Sequence, residues 1–436
     1  MSTLPPGPAE APALQTLRWL LRPITFLENC RRRFGDAFSV NFLGFQTPMV
    51  MLSDPEAIRA LYTERSNGLP PGRTVALRPI MGARSILLLE GAEHLARRKV
   101  MLPPFHGERM RAYEPIVREA AEREIDAWPR DASFAVHPRM QAVTLEVILR
   151  AVFGVEDRGR RAELSQLLGG LLARTSSTAL QFGVLAALRL GIAGPMAKIE
   201  RENAALDALL LDEIRAHRAD PGVAERDDIL SLLVQARFDD ADGGTPMSDR
   251  EVRDQLVTLL LAGHETTATG LAWTFDLLLR HPAVHARLVE EVDAGRTEYV
   301  RAVVSEALRL RPVVPLAGRR LAVPLETKTL SLPAGTDVTP AIWLTHTHSG
   351  SYPDPYAFRP ERFLGAQPSG YAWIPFGGGV RRCLGAAFAE LEMHVVLTSV
   401  LRRRALQPVT RSAERVARRN VTFSPANGTR LVAAAR

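Results

Sequence analysis

The segment Phe376–Gly385, FGGGVRRCLG, places three consecutive glycines and two arginines directly before Cys383, one of only two cysteines in 436 residues. Glycine lets a backbone turn tightly and approach another group closely. A helical pattern follows at once (CLGAAFAELEMHVVLTSVLRRR), and the unpaired N–H groups at a helix start favour negative charge. Arg381 and Arg382 add positive charge nearby. The loop therefore predicts a cysteine whose thiolate form is favoured.

Several chemistries are open to such a cysteine. A closed zinc site is excluded, because no second Cys or His lies at ligand spacing. A single axial bond to haem iron suits one thiolate. A buried structural cysteine remains open, as does the nucleophile of a cysteine–histidine hydrolase, although the sequence offers that nucleophile no convincing histidine. Cys30, in ENCRRRFGD, is interpreted as a buried structural cysteine.

The composition is that of a folded protein, with 46% hydrophobic and 24% charged residues and a formal charge of +7. The cations are nearly all arginines, scattered among alanines and acids without an aromatic-interleaved stripe, which disfavours nucleic-acid binding. Two cysteines cannot build a disulfide framework. The N-terminus lacks the pattern of a signal peptide, and LQTLRWLLRPI is too short and too charged to span a bilayer. We therefore expect a cytoplasmic protein without a transmembrane anchor.

The residue pattern divides the chain into three regions with different predicted secondary structure. The first third mixes strands and helices; AFSVNFLGFQTPMVMLSDP predicts two strands joined at Gly44, with Asp54–Pro55 starting a helix. Residues 107–300 are mostly helical. After Pro312 short segments rich in proline and glycine predict small sheets, and strand-like pieces close the chain.

The clearest helix begins at a capping box formed by Ser248 and Glu251 and stops at His281–Pro282. Its roughly 30 residues span about 45 Å. Inside it, AGHETT interrupts good helix formers with Gly263 and threonines, which costs stability unless it serves packing or function.

Within AGHETT, Ala262 and Thr266 are four residues apart and share one face of the helix. A threonine hydroxyl there can bond a carbonyl one turn back, which predicts a local distortion and a groove. Glu265 and Thr266 would form an acid–alcohol pair. The alternative is a buried helix with small residues for packing.

The motif FGGGVRRCLG resembles the haem-binding loop of the cytochrome P450 family, whose pattern is Phe, two residues, Gly, x, Arg, x, Cys, x, Gly. The fixed places are filled by Phe376, Gly379, Arg381, Cys383 and Gly385. The resemblance covers essentially the whole chain. It implies a mainly α fold with small β-sheets (α+β), as a single domain over residues 1–436, which holds haem b (iron protoporphyrin IX) between the long helix and the cysteine loop.

The same resemblance gives roles to other segments. AGHETT is similar to the family's oxygen-activating stretch, which makes Ala262 a haem contact and Glu265 and Thr266 the groups that deliver protons. SEALRLRP places Glu306 and Arg309 three apart, and FRPERF supplies Arg362. In the family these three side chains bond behind the thiolate loop, a structural role around the metal site.

Cations are expected at the haem propionates. HLARR offers His94 and Arg98 four residues apart, and Arg319 and Arg381 stand at family positions with the same task; arginine suits carboxylates through paired hydrogen bonds. Arg97 could replace Arg98, and Arg320 could replace Arg319. The alternative for each is a solvated surface charge.

Two histidines in WLTHTHSG, His346 and His348, alternate like strand residues. A metal pair is disfavoured because no Asp, Glu or Cys converges on them. We interpret the segment as a polar strand end.

The expected function is that of a haem-thiolate monooxygenase, which hydroxylates or epoxidises an apolar molecule (a fatty acid, terpenoid, steroid-like compound or polyketide) with O2. By family position the pocket is lined by Leu77, Ile80, Met81, Ala262, Val314, Leu316, Val421 and Thr422, and the apolar run 178–195 forms an entry lid. Two electrons would come from a ferredoxin and its reductase, docked on a basic face formed by Arg97, Lys99 and Arg382. We expect a monomer.

Two other functions are open on the same resemblance. A peroxide-driven peroxygenase would dispense with the acid–alcohol pair. A haem carrier or gas sensor would need no proton delivery and usually an attached output domain. Glu265 and Thr266 disfavour both.

Overall fold

The computed structural model describes residues 4–43, 45, 47–69, 78–175, 194–238, 244–365, 368, 370–419 and 421–436. The helices there are α1 Pro12–Leu21, α2 Pro23–Phe34, α3 Pro55–Thr63, α4 Arg78–Met81, α5 Gly91–Met101, α6 Arg109–Asp126, α7 Val136–Val147, α8 Arg158–Thr175, α9 Gly194–Ala219, α10 Ile229–Gln235, α11 Asp249–Arg280, α12 Pro282–Asp293, α13 Glu298–Leu310, α14 Ile342–His346 and α15 Ala386–Arg403. The strands are β1 Ala37–Val40, β2 Met49–Leu52, β3 Phe134–Ala135, β4 Arg319–Arg320, β5 Leu325–Glu326, β6 Ser331–Leu332, β7 Asp337–Pro340, β8 Arg404–Pro408, β9 Val416–Arg419, β10 Thr422–Pro425 and β11 Arg430–Ala435. The mainly helical architecture with small sheets confirms the predicted fold class.

The long helix α11 forms the centre of the molecule. Ser248 and Glu251 make the predicted capping box, and the helix continues for 32 residues until His281 precedes Pro282. It packs against α7, α9, α13 and α15. Its apolar side chains, such as Leu271, Phe275 and Leu278, are fully buried, and each contributes about 1.5–3 kcal/mol by leaving water. The helix is unbroken through AGHETT, so the predicted distortion does not interrupt it.

The sheets lie around this helical core. The largest has the order β1-β2-β7-β4, with β1 antiparallel to β2 and β2 parallel to β7. The two N-terminal strands confirm that prediction, while Gly44 lies outside the described residues. Asp54 caps α3 by accepting from the Ala57 N–H at 2.8 Å. Strand β4 pairs with β7 at the edge of the sheet and fixes the backbone of Arg319.

Smaller sheets complete the fold. Strands β3, β11 and β8 form one sheet, β9 and β10 form a hairpin, and β5 and β6 form another pair. The predicted closing strands are therefore present.

Two predictions about local structure are wrong. The sequence predicts His346 at the end of a strand, but it is the last residue of the short helix α14. Its side chain is fully buried in the core. The last long helix begins at Ala386, three residues after Cys383, with Gly385 as its N-cap. Among the described residues, no helix has the length and apolar character needed to cross a membrane.

Candidate functional site

The cysteine loop is a closed turn that leads to Cys383. The Cys383 N–H donates to the Phe376 carbonyl at 2.9 Å, and a short 3₁₀ turn spans Gly379–Arg381. Gly377 and Gly379 have φ of 68° and 65°, which only glycine adopts without strain. Cys383 is exposed as a residue, although protein atoms surround its thiol closely enough to desolvate it.

The glycines are needed for contact with α3. A Cβ on Gly378 would lie 2.4 Å from Cδ2 of Tyr62, and a Cβ on Gly379 would lie 2.4 Å from the Tyr62 carbonyl oxygen. Tyr62 itself is buried. The loop is thus pressed onto a neighbouring helix, a contact that the sequence did not reveal.

The pKa of the Cys383 thiol is raised, contrary to the sequence prediction. The protein atoms around the sulfur remove it from water and raise the pKa; the Gly385 N–H and the charges of Arg382 and Arg98 lower it, but by less. The helix start lies further along than predicted, and Arg381 turns away to donate to the Leu89 carbonyl at 2.5 Å. A stable thiolate here therefore calls for a further cation at the sulfur, such as a metal ion.

Four basic side chains converge near the loop. Burial, followed by the charges of Arg381, Arg98 and Arg319, lowers the pKa of His94 to about 4. Burial and the charge of Arg319 lower the pKa of Arg381 to about 10. Among the described residues no carboxylate forms an ion pair with any of the three arginines. His94 and Arg319 are buried, and Arg98 and Arg381 are half-buried. A partly buried cluster of cations without ion-pair partners is unfavourable by itself, so this cluster fits a ligand that carries negative charge.

The two alternative arginines point elsewhere. Arg97 is buried, forms an ion pair with Glu251 at the start of α11, and lies over the ring of Phe238. Arg320 turns toward Asp337, with 3.7 Å between Nε and Oδ1. Arg98 and Arg319 are therefore the members of the cluster.

A buried ion pair stands behind the cysteine loop. Arg309 donates to both carboxylate oxygens of Glu306, at 2.6 and 2.8 Å, and both side chains are completely buried. The Nε of Arg362 lies 3.4 Å from Oε1 of Glu306, and the Arg359 N–H donates to the same oxygen at 2.8 Å. The structure brings the three predicted residues together.

His346 joins this pair to the segment before the loop. Its Nε2 accepts from the Ile374 N–H at 2.9 Å, so Nδ1 carries the proton and donates to the Arg309 carbonyl at 3.0 Å. Burial and the charge of Arg309 lower its pKa to about 3. Sequence reasoning missed this link, because nothing near His346 in the sequence indicates partners 28 and 37 positions away.

On α11, the AGHETT segment presents an open face. Ala262 is exposed in the middle of a largely buried helix, and the Thr266 hydroxyl donates to its carbonyl at 2.5 Å. Glu265 is directed toward α7, where Gln141 Nε2 donates to Oε2 at 2.6 Å. Burial raises the pKa of Glu265 against the opposing effects of Gln141, Arg419 and Thr269.

The predicted pocket walls differ in their surroundings. Met81 and Thr422 are buried, and Val421 is 63% exposed. Ile80, Val314 and Leu316 are half-buried, and Leu316 packs on the core of Phe26, Trp343 and Leu344. Leu77 and residues 178–193 of the predicted lid lie outside the described residues.

A comparison with known families decides the identity. The family Cytochrome P450 matches residues 5–426. This chain belongs to the cytochrome P450 family.

Curated relatives agree with this assignment. Putative cytochrome P450 135B1 of Mycobacterium tuberculosis is 42% identical over 437 residues, which covers 98% of this chain and 91% of the relative. Putative cytochrome P450 138 of Mycobacterium bovis is 38% identical over 442 residues, covering 98% and 96%.

Solved structures show the same fold. Retinoic acid-bound cyanobacterial CYP120A1 superposes with a TM-score of 0.82 at 25% identity, covering 99% of each chain. The haem domain of cytochrome P450DA superposes with a TM-score of 0.86 at 23% identity, covering 100% of this chain and 98% of that chain.

As a cytochrome P450, the protein is a haem-dependent monooxygenase that acts on a small molecule and receives electrons from an external partner. The residues present fit the cofactor. One cysteine at the end of a closed loop suits an iron ligand, and the cluster of cations without ion-pair partners suits two propionates. Within the part of the chain that the structure describes, no group of three or more His, Cys, Asp or Glu side chains is placed to hold a metal ion.

Proposed function

We propose that this monooxygenase hydroxylates or epoxidises an apolar substrate, namely a fatty acid, terpenoid, steroid-like compound or polyketide, with electrons from a ferredoxin and its reductase. The observation that carries the proposal is the AGHETT segment. It combines an open face at Ala262 with an acid and an alcohol at adjacent positions, Glu265 and Thr266, in the middle of the central helix.

Specific residues would hold the haem. Cys383 Sγ would bind the iron as its one protein ligand; His94, Arg98, Arg319 and Arg381 would bind the propionates; Phe376, Gly379, Gly385 and Ala262 would lie against the ring. When bound, haem supplies the redox chemistry that activates O2. Glu306, Arg309 and Arg362 would stabilise the protein behind the loop.

The acid–alcohol pair would supply protons. Because burial raises the pKa of Glu265, its carboxyl holds a proton at higher pH than an exposed glutamic acid does. The Thr266 hydroxyl can donate toward the open face once it leaves the Ala262 carbonyl. We infer that a proton passes from the Glu265 carboxyl by way of Thr266 Oγ1.

The proposed substrate class is supported by the expected pocket walls, which are mostly apolar. They would be Leu77, Ile80, Met81, Val314, Leu316, Val421 and Thr422. The structural neighbour solved with retinoic acid bound is consistent with an apolar guest. Screening lipids, terpenes, steroids and polyketides for substrate-induced changes in the haem spectrum tests this class. Binding restricted to small polar compounds would contradict it.

The docking face for the ferredoxin needs a correction. Arg97 is buried and paired with Glu251, so it is not part of an exposed surface. Lys99 and Arg382 are exposed, and we propose that they remain in the face. Arg382→Glu should slow reduction by an acidic ferredoxin and leave substrate binding unchanged, whereas Arg215→Glu, at an exposed position on α9, should change neither. Equal reduction rates in both variants would contradict this docking face.

The reaction class has a direct test. The purified protein should show a thiolate-type Soret band in its ferrous–carbon monoxide spectrum and form product with NADPH, ferredoxin reductase and ferredoxin. Cys383→Ser should lose that band. Turnover with hydrogen peroxide alone, and none with the electron-transfer proteins, would favour the peroxygenase instead.

We also propose that residues 1–436 form one domain and that the protein is a monomer. Gel filtration tests the monomer.

A further inference from the structure

His137 lies at the junction of three elements beside the Glu265 carboxyl. It is fully buried on α7. Its Nε2 is 3.1 Å from Thr269 Oγ1 and 3.5 Å from Glu265 Oε1, both on α11. Its Nδ1 is 3.4 Å from Nη1 of Arg419, on β9. The imidazole therefore connects the β9–β10 hairpin to the helix that carries the acid.

The contacts fix which ring nitrogen carries the proton. A guanidinium only donates hydrogen bonds, so Nδ1 accepts from Arg419 and Nε2 carries the proton. Burial and the nearby Arg419 and His264 lower the pKa of His137 to about 4, and the ring is neutral at neutral pH. Its single N–H is thus directed at Thr269 and at the carboxyl of Glu265.

The Glu265 carboxyl is held from several sides. Gln141 Nε2 donates to Oε2, and the Thr269 hydroxyl lies 3.4 Å from Oε1. The Thr269 hydroxyl also reaches the Ser424 hydroxyl at 3.5 Å on β10. Ser424 in turn lies 3.2 Å from the hydroxyl of Thr422, a proposed pocket wall. Two polar connections therefore run from the hairpin to the acid, one through His137 and one through Thr269.

We propose that His137 is a positioning residue for the Glu265 carboxyl and that, through Arg419, it makes the position of this carboxyl depend on the β9–β10 hairpin. The proposal deepens the proposed function and rests on the role given there to Glu265. Movement of the hairpin would separate Arg419 from Nδ1, release the ring from its fixed orientation, and change the hydrogen bonding of the carboxyl.

The test measures the carboxyl directly in the haem-loaded protein. Infrared titration follows the C=O stretch of the protonated carboxyl, assigned by its loss in Glu265→Gln. His137→Phe should move this titration to higher pH, because it removes the N–H and the anchor for Arg419. When a surrogate ferredoxin and its reductase supply electrons, His137→Phe should also release several-fold more hydrogen peroxide per NADPH oxidised. His137→Gln should return the titration of the carboxyl and the yield of hydrogen peroxide to the parental values, since its amide can accept from Arg419 and donate to Thr269.

The hairpin is tested by a second pair of variants. Arg419→Gln should move the titration of Glu265 to higher pH, because the charge of Arg419 lowers that pKa. Arg411→Gln, an exposed arginine before β9, should leave the titration unchanged.

The outcomes separate this proposal from the proposed function. If His137→Phe lowers thermal stability but leaves the titration and peroxide yield at parental values, His137 is only structural and the proposal is overturned. If Glu265→Gln itself leaves the peroxide yield unchanged while His137→Phe still moves the titration, the role of Glu265 fails and the positioning by His137 stands.

Discussion

The two sides of the proposed haem site are built differently. Behind Cys383, the structure is closed: Glu306 and Arg309 are completely buried and bonded, and Tyr62 presses on the glycine loop. Along AGHETT the helix is open: Ala262 is exposed, and Glu265 is held by neutral groups such as the Gln141 amide and the Thr269 hydroxyl. The cysteine side is fixed by a completely buried charged pair, while the α11 side keeps groups that can change partners.

This difference has a physical basis. A buried charge without its partner is strongly destabilising, so the cysteine side tolerates few arrangements. The helix side carries hydroxyls, an amide and a carboxyl whose pKa burial raises, and these exchange hydrogen bonds at small cost. The first arrangement suits the holding of an iron ligand, and the second suits the movement of protons.

The largest expected difference is between two glutamates. Glu306→Ala leaves the buried charge of Arg309 without its carboxylate, with only backbone carbonyls as acceptors, which should lower the free energy of unfolding by about 3–5 kcal/mol. Glu265→Ala should cost only about 1 kcal/mol, because it leaves a neutral amide of Gln141 without its acceptor. Urea unfolding and haem content of both variants measure the difference.

A matched control exists for the buried pair. Asp212 and Arg215 have the same i, i+3 spacing, but both side chains are 63% exposed. Asp212→Ala should change stability by less than about 0.5 kcal/mol. Equal losses for Glu306→Ala and Asp212→Ala would contradict the closed character of the cysteine side.

Two glycines give the next comparison. Gly378→Ala forces a methyl group to 2.4 Å from the Tyr62 ring, and such overpacking should cost about 1–3 kcal/mol. At Gly263 the methyl group would meet Ile148 Cδ1 at 3.5 Å, an ordinary contact, and alanine favours the helix. Thermal unfolding of the haem-free protein should therefore show a loss of stability for Gly378→Ala and none for Gly263→Ala.

Haem titration sharpens this comparison. If Gly263→Ala folds normally but binds haem weakly, the ring lies close to this face of α11. Equal stability of the two variants would contradict the contact between the loop and α3.

Acid should destabilise both sides through buried histidines. His346 behind the loop and His264 on α11 have pKa values lowered by burial to about 3 and about 4. The unfolded chain takes up protons below its ordinary histidine pKa of about 6.5 while the folded chain does not. Stability is therefore present above that pH and is lost as pH falls toward the folded values, by about 1 kcal/mol per histidine at pH 5.5.

Variants of single buried groups isolate the contribution of each group to the pH dependence of stability. His346→Gln should lower the dependence of unfolding free energy on pH between 7 and 5.5 relative to the parent. Glu392 acts in the opposite direction, because burial raises its pKa to about 8 and stability falls as pH rises. Glu392→Gln should therefore remove the loss of stability that occurs as pH rises from the ordinary glutamic acid pKa to about 8. An unchanged slope in His346→Gln would mean that this ring is charged in the folded protein.

The smallest effect is expected at the proposed pocket. Val421 is 63% exposed, so Val421→Ala should change stability by less than about 0.5 kcal/mol. Some compounds will shift the haem spectrum when they bind. If Val421 contacts an apolar substrate, Val421→Ala should lower the affinity for such a compound by a few-fold. Val409, 40% exposed after β8, provides the control, and Val409→Ala should change neither quantity. Equal affinities in parent and Val421→Ala would remove this residue from the pocket.

The sequence by itself determined the features that depend on local spacing. The capping box of Ser248 and Glu251, the helix stop at Pro282 and the proximity of Glu306 and Arg309 on one helix face follow from backbone geometry over a few residues. The motif around Cys383 was sufficient for the family.

Only the tertiary structure decided which side chains are buried and which distant groups they meet. It separated Arg98 from its neighbour Arg97, turned His346 into a link within the core, and placed Tyr62 under the glycine loop. It also reversed the expected pKa shift of Cys383, because desolvation by atoms distant in the sequence outweighs the nearby charges. Such effects depend on which surfaces the folded chain removes from water, and no spacing along the sequence encodes them.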